Sequence, residues 1–465
     1  MSFDTPLINS LSNVLISQRN PMSVVAFDPL TKLPDSRYTD WQTFQCDIAK
    51  LAFQLLQQDA QRYAICIQDS YLFSVAFFAS LYANKSIVLP GNYQPAALAE
   101  LTPHFDCLIV DEAVEAPTGI TSLNIEQRLR NNSGCHTELS QLNLDTLKVT
   151  LFTSGSSGTP KAIEKSLKQL DIEIAQLEQL WGVTLGKSCI HSTVSHQHIY
   201  GLLFRVLWPI CSERAFSRHD LEFPEQVVTN AKLNTTLISS PALLKRMSID
   251  PVLNPFCAIF SSGGPLSFDS AQQNHQRLGF LPIEVYGSTE TGGIAFRQQI
   301  EPSTPWTLFP CINVRLNHEN CLTLLSPYIE PQGWYQTSDE CELLENSQFV
   351  LKGRTDRVIK IEEKRVSLVE VEKRIEQLNW IDESVVIPFN EPERLILAAV
   401  LTLSLDGKKK LTEIGKGKFW LLLRAELRQW LEPIAIPRRF RIVTEIPLNS
   451  QGKRLRSELE KIVQN

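Results

Sequence analysis

No apolar run in this 465-residue chain is long enough to cross a bilayer. The longest, Tyr71 to Ala83, is broken by serines and falls well short of the roughly 20 residues that a spanning helix needs. The N-terminus, Met1-Ser2-Phe3-Asp4, has no basic segment ahead of an apolar one, so no export signal is expected. Ten cysteines are scattered singly without a Cys-x-x-Cys pair, so neither a disulfide framework nor a zinc site is expected. Internal repeats and low-complexity tracts are also missing. These absences together predict a reduced, cytoplasmic protein with no membrane span.

What is there points to two or more subdomains, because 465 residues exceed what one hydrophobic core normally serves. The net charge of −6 conceals a gradient: residues 357–465 carry +5 and the remainder −11. Lys408-Lys409-Lys410 and Arg438-Arg439 lie in this basic tail. The three-lysine run reads as a solvated surface, or the tail as a docking face for an acidic partner, either coenzyme A phosphates or an acyl carrier protein. Nucleic acid is not an expected partner, since the positive charge is confined to one end and no binding motif accompanies it.

Short apolar segments alternate with helical ones. Asp40 caps a helix expected to run to about Gln57; Tyr63 to Ile67, Ser86 to Leu89 and Asp106 to Val110 read as strands, and Ser70 to Tyr82 as a helix. Thr235 to Ser239, Cys257 to Phe260 and Ile283 to Tyr286 are further strands. Ser261-Ser262-Gly263-Gly264-Pro265 and Gly287-Ser288-Thr289-Glu290 follow two of them, where ligands gather at the C-terminal ends of parallel strands. After Asp356 the pattern becomes a compact α+β unit: a hairpin at Val358 to Val366, a capped helix from Ser367, strands Ser384 to Phe389 and Leu395 to Leu403, and a helix from about Gly417 to Glu432. The expected domains are therefore 1–353 and 354–465.

The stretch richest in chemistry is Thr153-Ser154-Gly155-Ser156-Ser157-Gly158-Thr159-Pro160-Lys161, directly after the strand Val149 to Phe152 and ahead of a helical stretch expected from about Glu164 to Trp181. Glycines let the backbone approach an anion, hydroxyls and amides donate hydrogen bonds, and the lysine adds a cation. This reads as a cradle for the polyphosphate of ATP. Thr159 and Pro160 separate it from the common nucleotide P-loop, in which lysine directly follows the second glycine.

The loop resembles the Thr-Ser-Gly-Ser/Thr-Thr/Ser-Gly-x-Pro-Lys signature of the adenylate-forming superfamily of acyl-CoA synthetases, aryl-acid ligases, nonribosomal adenylation domains and luciferases. Four more of its signatures follow in order. Tyr286-Gly287-Ser288-Thr289-Glu290-Thr291 resembles Tyr-Gly-x-Thr-Glu, and Trp334-Tyr335-Gln336-Thr337-Ser338-Asp339 resembles Tyr-x-Thr-Gly-Asp. Gly353-Arg354-Thr355-Asp356 with Ile359-Lys360 resembles Gly-Arg-x-Asp-x-x-Ile-Lys, and Pro447 to Lys453 is similar to the terminal lysine block. The resemblance covers the chain from about residue 40 onward and is nearest to the acyl- or aryl-carrier-protein ligases of aryl-polyene pigment pathways.

The resemblance implies a large multi-subdomain N-terminal α/β domain with a small mobile C-terminal α+β domain hinged at Asp356. It implies ATP and Mg²⁺ as cofactors, a carboxylic acid substrate, and CoA or the phosphopantetheine of a carrier protein as acceptor. Lys453 is expected to bridge the carboxylate and the α-phosphate, Glu290 to hold the metal, and Thr289 to touch phosphate. Thr153, Ser154, Gly155, Ser156, Ser157, Gly158 and Lys161 are expected around the β,γ-phosphates. Gly263 and Gly264, with Tyr286 and Gly287, frame the nucleotide, and Asp339 beside Arg354 binds the ribose. His196 to Gly201 resembles the segment lining the acyl pocket, where His198 either gates the pocket or is a core histidine. Tyr200, Gly201, Ser239 and Ser262 complete that pocket. No acidic residue stands in 196–204 to meet an ammonium, so an amino acid substrate is disfavoured. An aromatic acid of hydroxybenzoate or cinnamate type is expected, with a medium-chain fatty acid or a noncatalytic ATP/acyl-binding scaffold as alternatives. Three departures stand out: Ser338 and Ala162 replace usual glycines, and Glu363 replaces a glycine near the expected pantetheine channel.

Overall fold

The computed structural model describes residues 8–31, 38–91, 93, 95–130, 137–154, 160–247, 254–329, 333–354, 358–361, 364–391, 394–429, 431, 433–448 and 454–464. Packing divides the chain into two units. One consists of Met1–Asn313 with Leu325–Gly333, the other of Val314–Leu324 with Trp334–Asn465. This division falls earlier than the boundary expected near residue 353, because the strands Cys321–Leu325, Tyr335–Leu343 and Gln348–Arg354 pair antiparallel with one another. The expected hinge Asp356 lies outside the described residues.

The first unit holds two sheets. In one, strands Ser122–Asn124, Cys107–Val110, Arg62–Cys66, Ser86–Leu89 and Lys148–Ser154 run parallel, and Pro160–Ser166 closes the edge antiparallel. The helix Ser70–Tyr82 is apolar on all faces and nearly every residue in it is buried. A helix without a polar side must be covered all round. Asp69 caps it by accepting from Tyr71 N at 2.8 Å, and the interrupting Ser74 and Ser80 hydroxyls donate to Tyr71 O and Ala76 O. Asp40 caps the helix Trp41–Leu56 in the expected way, accepting from Thr43 N at 2.8 Å.

The second sheet of this unit sets strands Val24–Phe27, Phe216–Ser217, Cys189–Ser192, Thr235–Ser239, Ala258–Ser261 and Ile283–Ser288 parallel in that order. Gly292–Arg297 and Trp306–Leu308 then continue antiparallel. Register pairs Ile238 with Ser192, Ser239 with Ser261, and Ser261 with Glu284. The C-terminal ends of Cys189–Ser192, Thr235–Ser239 and Ala258–Ser261 therefore reach one edge together, and Ile283–Ser288 runs four residues beyond them.

In the second unit, the hairpin Val358–Ile361 with Lys364–Ser367 precedes the helix Leu368–Glu376 and a sheet of Ile381–Glu391, Arg394–Leu403 and Arg439–Ile442. Val371, Ile375, Trp380, Leu397, Phe419, Leu423 and Phe440 form its core. The helix expected from Gly417 begins earlier, at Leu405, and ends at Leu427. Ser404 caps it, its hydroxyl oxygen accepting from Gly407 N at 3.1 Å, and Gly415 breaks it with φ +75°. The left-handed glycine explains why the periodicity after it reads as a separate helix. Among the described residues no helix is long and apolar enough to cross a membrane, and the nine described cysteines are free thiols.

Candidate active site

Residues 155–159 of the glycine-hydroxyl loop lie outside the described residues, as do the side chains of Thr153 and Ser154. Its two flanks are described. Lys148–Ser154 and Pro160–Ser166 pair antiparallel, with Thr153 opposite Lys161 and Ser154 opposite Pro160. The loop is thus the connection of a hairpin, which corrects the expected strand–loop–helix order. Helix begins only at Leu167, where Ser166 and Gln169 form a reciprocal capping box. Lys161 to Ser166 pair with the neighbouring strand before that signal is reached, so strand wins over helix there. Ala162 sits exposed in this strand, where a methyl group is easily accommodated.

Across the unit, Lys161 Nζ meets Glu290 Oε1 at 3.1 Å, bringing the phosphate-loop hairpin to the Tyr286-to-Glu290 block. Burial works to raise the pKa of Glu290, yet its own backbone amide, Lys161 and Ser288 outweigh burial and hold it below the ordinary value. The carboxylate is therefore charged at neutral pH. The turn carrying it is closed by Ser288 and Thr291, whose hydroxyls lie 3.0 Å apart, while Ser288 N donates to Thr291 Oγ1 at 3.0 Å. Gly287 and Gly292 cross so closely that a Cβ on Gly287 would lie 2.3 Å from Gly292 O. Thr289 is half-buried beside Glu290, and the Tyr286 ring packs 5.5 Å from Trp306.

Two buried ionisable side chains that the motifs did not reveal stand behind this turn. Lys165 Nζ donates to Glu290 O at 2.8 Å and to Tyr328 O at 2.7 Å. Glu173 Oε1 accepts from Gly293 N at 2.7 Å. Burial pushes the Glu173 carboxyl up to about 7, against the pull of the Gly293 amide and the Lys165 charge. A charged residue on the inward face of a strand or helix was the only sequence signal, and its partners lie more than a hundred residues away.

Ser262-Gly263-Gly264 leaves the strand Ala258–Ser261 at the same edge. Gly263 takes φ +94°, is exposed, and would have nothing within 4 Å of an added Cβ. The Ser262 hydroxyl donates to Val285 O at 2.8 Å, and Ser239 shares a hydrogen bond with Thr193 at 2.9 Å. Both hydroxyls expected toward the acid thus already serve the frame.

In the His196-to-Gly201 block the buried histidine is His196. Its Nε2–H donates to Ile67 O at 2.8 Å and its Nδ1 accepts from the Ser70 hydroxyl at 2.9 Å. Burial and the Arg205 cation hold its pKa well below the ordinary value, so it is neutral. His198 is half-buried at the start of the short helix Ile199–Gly201. Burial raises the Tyr200 phenol, whose ring packs 4.8 Å from Phe204. Gly201 is required by contact, since a Cβ there would sit 2.1 Å from Ser195 O. The chain continues as a π-helical stretch, Leu202–Leu207, a form common at functional sites. Within it the buried Arg205 pairs with Asp220 and donates to Val194 O at 2.9 Å, tying down the approach to His196.

In the second unit, Asp339 is buried in the strand Tyr335–Leu343 opposite Arg354, whose side chain is outside the described residues. Asp339 N donates to Thr337 Oγ1 at 3.1 Å, and Thr337 donates to Leu322 O at 2.8 Å. Ser338 lies in extended strand and is absent from the positive-φ residues, so serine there carries no strain. Lys453 and Glu363 lie outside the described residues.

Among the described residues no three His, Cys, Asp or Glu side chains cluster as a metal cage. A single ionised carboxylate, Glu290, beside a phosphate-type loop fits Mg²⁺, which takes one or two carboxylates and completes its shell with phosphate and water.

The profile of the AMP-binding enzyme family matches residues 17–321. VraA of Staphylococcus haemolyticus (strain JCSC1435), named as a long-chain fatty acid–CoA ligase, is 23% identical over 344 residues, which span 69% of this chain and 71% of that protein. The D-alanine–D-alanyl carrier protein ligase of Staphylococcus aureus (strain bovine RF122 / ET3-1) is 24% identical over 371 residues, spanning 70% and 73%. The fold is shared with o-succinylbenzoate CoA synthetase (MenE) of Bacillus subtilis, solved with its acyl-adenylate intermediate OSB-AMP, at a TM-score of 0.79, 15% identity and coverage of 97% and 99%. With the family's profile spanning well over half of its residues, the chain belongs to the AMP-binding enzyme family.

Proposed function

We propose that this enzyme activates a carboxylic acid with ATP and passes the acyl group to a thiol. A carboxylate oxygen attacks the α-phosphorus and pyrophosphate leaves; a thiolate then attacks the acyl carbon and AMP leaves. The observation that carries the proposal is the Lys161–Glu290 contact, which places a phosphate-loop cation against an ionised carboxylate in a turn of Tyr-Gly-x-Thr-Glu type. Lys161 exchanges Glu290 for the β,γ-phosphates, with Thr153, Ser154, Ser156 and Ser157 beside it. Glu290 is thereby released to hold magnesium, which when bound neutralises phosphate charge. Gly263, Gly264, Tyr286 and Gly287 hold the nucleoside, and Asp339 with Arg354 takes the ribose hydroxyls. Lys453 bridges carboxylate and α-phosphate, where a preorganised cation stabilises the transition state most. Asp356 is the hinge between the two half-reactions.

The acid we propose is aromatic, of hydroxybenzoate or cinnamate type, received by the Tyr200 and Phe204 rings with His198 near its carboxylate. The relatives' names differ in acid and in thiol, so CoA and a carrier protein are both retained as acceptors. The enzyme is proposed to work in the cytoplasm. ATP–pyrophosphate exchange across benzoates, cinnamates and fatty acids tests the reading, with Lys453→Ala as control. Exchange with an aromatic acid that the control abolishes is expected. Exchange with alkyl acids alone would move the substrate to the fatty acids. ATP binding with no exchange across the panel would leave a noncatalytic scaffold.

A further inference from the structure

Residues two apart on a strand share a face, so Lys161, Ile163 and Lys165 point the same way from Pro160–Ser166. Both lysines end on Glu290. Lys161, with its side chain 55% exposed, takes the carboxylate at 3.1 Å; Lys165, 2% exposed, takes the backbone carbonyl of the same residue at 2.8 Å. Lys165 also spans to Tyr328 O at 2.7 Å, so one ammonium clamps two separate segments. Glu173 adds a third point by accepting from Gly293 N at 2.7 Å. Gly292 between these contacts has φ +67°, and a Cβ there would meet Glu173 Oε2 at 2.7 Å and Tyr328 Cδ2 at 2.8 Å. The turn from Ser288 to Gly293 is thus held from its inner side by an ammonium, a carboxyl group and a close-packed tyrosine.

A buried ammonium is costly unless its hydrogen bonds are met, and an apolar side chain could fill this space without that cost. The carbonyls it meets belong to the residue read as the metal ligand and to the segment behind it. We infer that Lys165, seconded by Glu173, is a positioning residue that fixes the backbone of Glu290, so that the carboxylate faces a nucleotide-bound magnesium in one orientation. The inference rests on the reading of Glu290 given above. Lys161 and Lys165 then divide the work: the exposed lysine leaves Glu290 for phosphate, and the buried one stays.

The test is equilibrium ATP binding as a function of Mg²⁺ concentration, which requires no turnover. Glu290→Gln is expected to weaken the Mg²⁺ dependence. Lys165→Met is expected to lower apparent Mg²⁺ affinity by roughly 10- to 100-fold, as loss of a partner that orients a metal ligand does. ATP binding without Mg²⁺ should be unchanged. In the Glu290→Gln background Lys165→Met should add nothing, and Lys165→Arg should restore much of the Mg²⁺ response. Should the Met variant not fold, Lys165→Gln, which keeps an amide donor for one carbonyl, carries the same test. A folded Lys165 variant with native Mg²⁺ dependence, alongside a shifted Glu290→Gln, would overturn the positioning role alone. An unshifted Glu290→Gln would overturn the metal-ligand reading and this inference with it.

Discussion

Gly292→Ala should be among the most damaging single-methyl additions in the first unit, and its cost can be separated into parts. The residue needs a left-handed backbone at φ +67°, and its Cβ would lie 2.7 Å from Glu173 Oε2. The backbone penalty for a non-glycine residue is about 1–2 kcal/mol, and overpacking a filled site adds about 1–3 kcal/mol, so the sum is roughly 2–5 kcal/mol. Three other glycines isolate the contributions. Gly119 has φ +84° with nothing within 4 Å, so Gly119→Ala should lose only the backbone share. Gly293 has no left-handed requirement but its Cβ would meet Phe309 at 2.5 Å, so Gly293→Ala should lose only the packing share. Gly264 has its nearest neighbour at 4.0 Å, so Gly264→Ala should match wild type in stability. Urea unfolding followed by tryptophan fluorescence reads the series, since Trp181 and Trp208 are packed in this unit and a midpoint change at constant slope reports stability. The reasoning fails if Gly292→Ala unfolds no earlier than Gly119→Ala.

The remaining predictions concern charge and contact. The folded-state pKa of Glu173 is about 7, above its ordinary value, so the native state holds a proton that the unfolded state has released. Its contribution is fully present below about pH 4.5 and lost as pH rises through about 7, to an extent on the order of 3 kcal/mol. Glu173→Gln should therefore gain in stability relative to wild type between pH 5 and 8, as read by urea midpoints at each pH, and parallel curves would refute this. Lys161→Ala removes a charge-assisted donor to phosphate and should weaken ATP binding by roughly 10- to 100-fold, measured by equilibrium titration. Gly201→Ala must displace the Ser195–His196 backbone, so kcat/KM for the acid should fall while ATP affinity holds. Lys453→Ala should slow adenylation by at least roughly 10²- to 10³-fold in single-turnover assays, with near-normal rates speaking against its catalytic assignment.

Strands, caps and the order of motifs were legible because each depends on neighbours in sequence. The helix Ser70–Tyr82, the Asp40 cap and the strands expected at Thr235 to Ser239, Cys257 to Phe260 and Ile283 to Tyr286 all follow from local pattern, with strand ends off by one or two residues. The Lys161 and Glu290 positions were legible from motif alone, although their 3.1 Å contact was not. Lys165, Glu173 and Arg205 escaped, because a buried charge looks like a surface one until its distant carbonyl or amide partner is known. The helix expected from about Glu164 is present but starts at Leu167, for a related reason. Pairing of Lys161 to Ser166 with Thr153 to Lys148 is a tertiary choice that overrides the local pattern.

The parallel strands whose ends meet at one edge also separate what this protein can change from what it cannot. Every residue of Thr235–Ser239 and of Ala258–Ser261 is buried, so a substitution within them must be absorbed by close-packed neighbours on both faces. One to three positions further on, at Ser262, Gly263 and Gly264, the chain is partly or wholly exposed. A duplicated copy of this gene could drift toward a new acid by altering loop ends such as Ser262 while its frame and the nucleotide-facing glycines stayed intact. A laboratory library aimed at altered selectivity would retain more folded members if its diversity began just past the last paired residue of each strand.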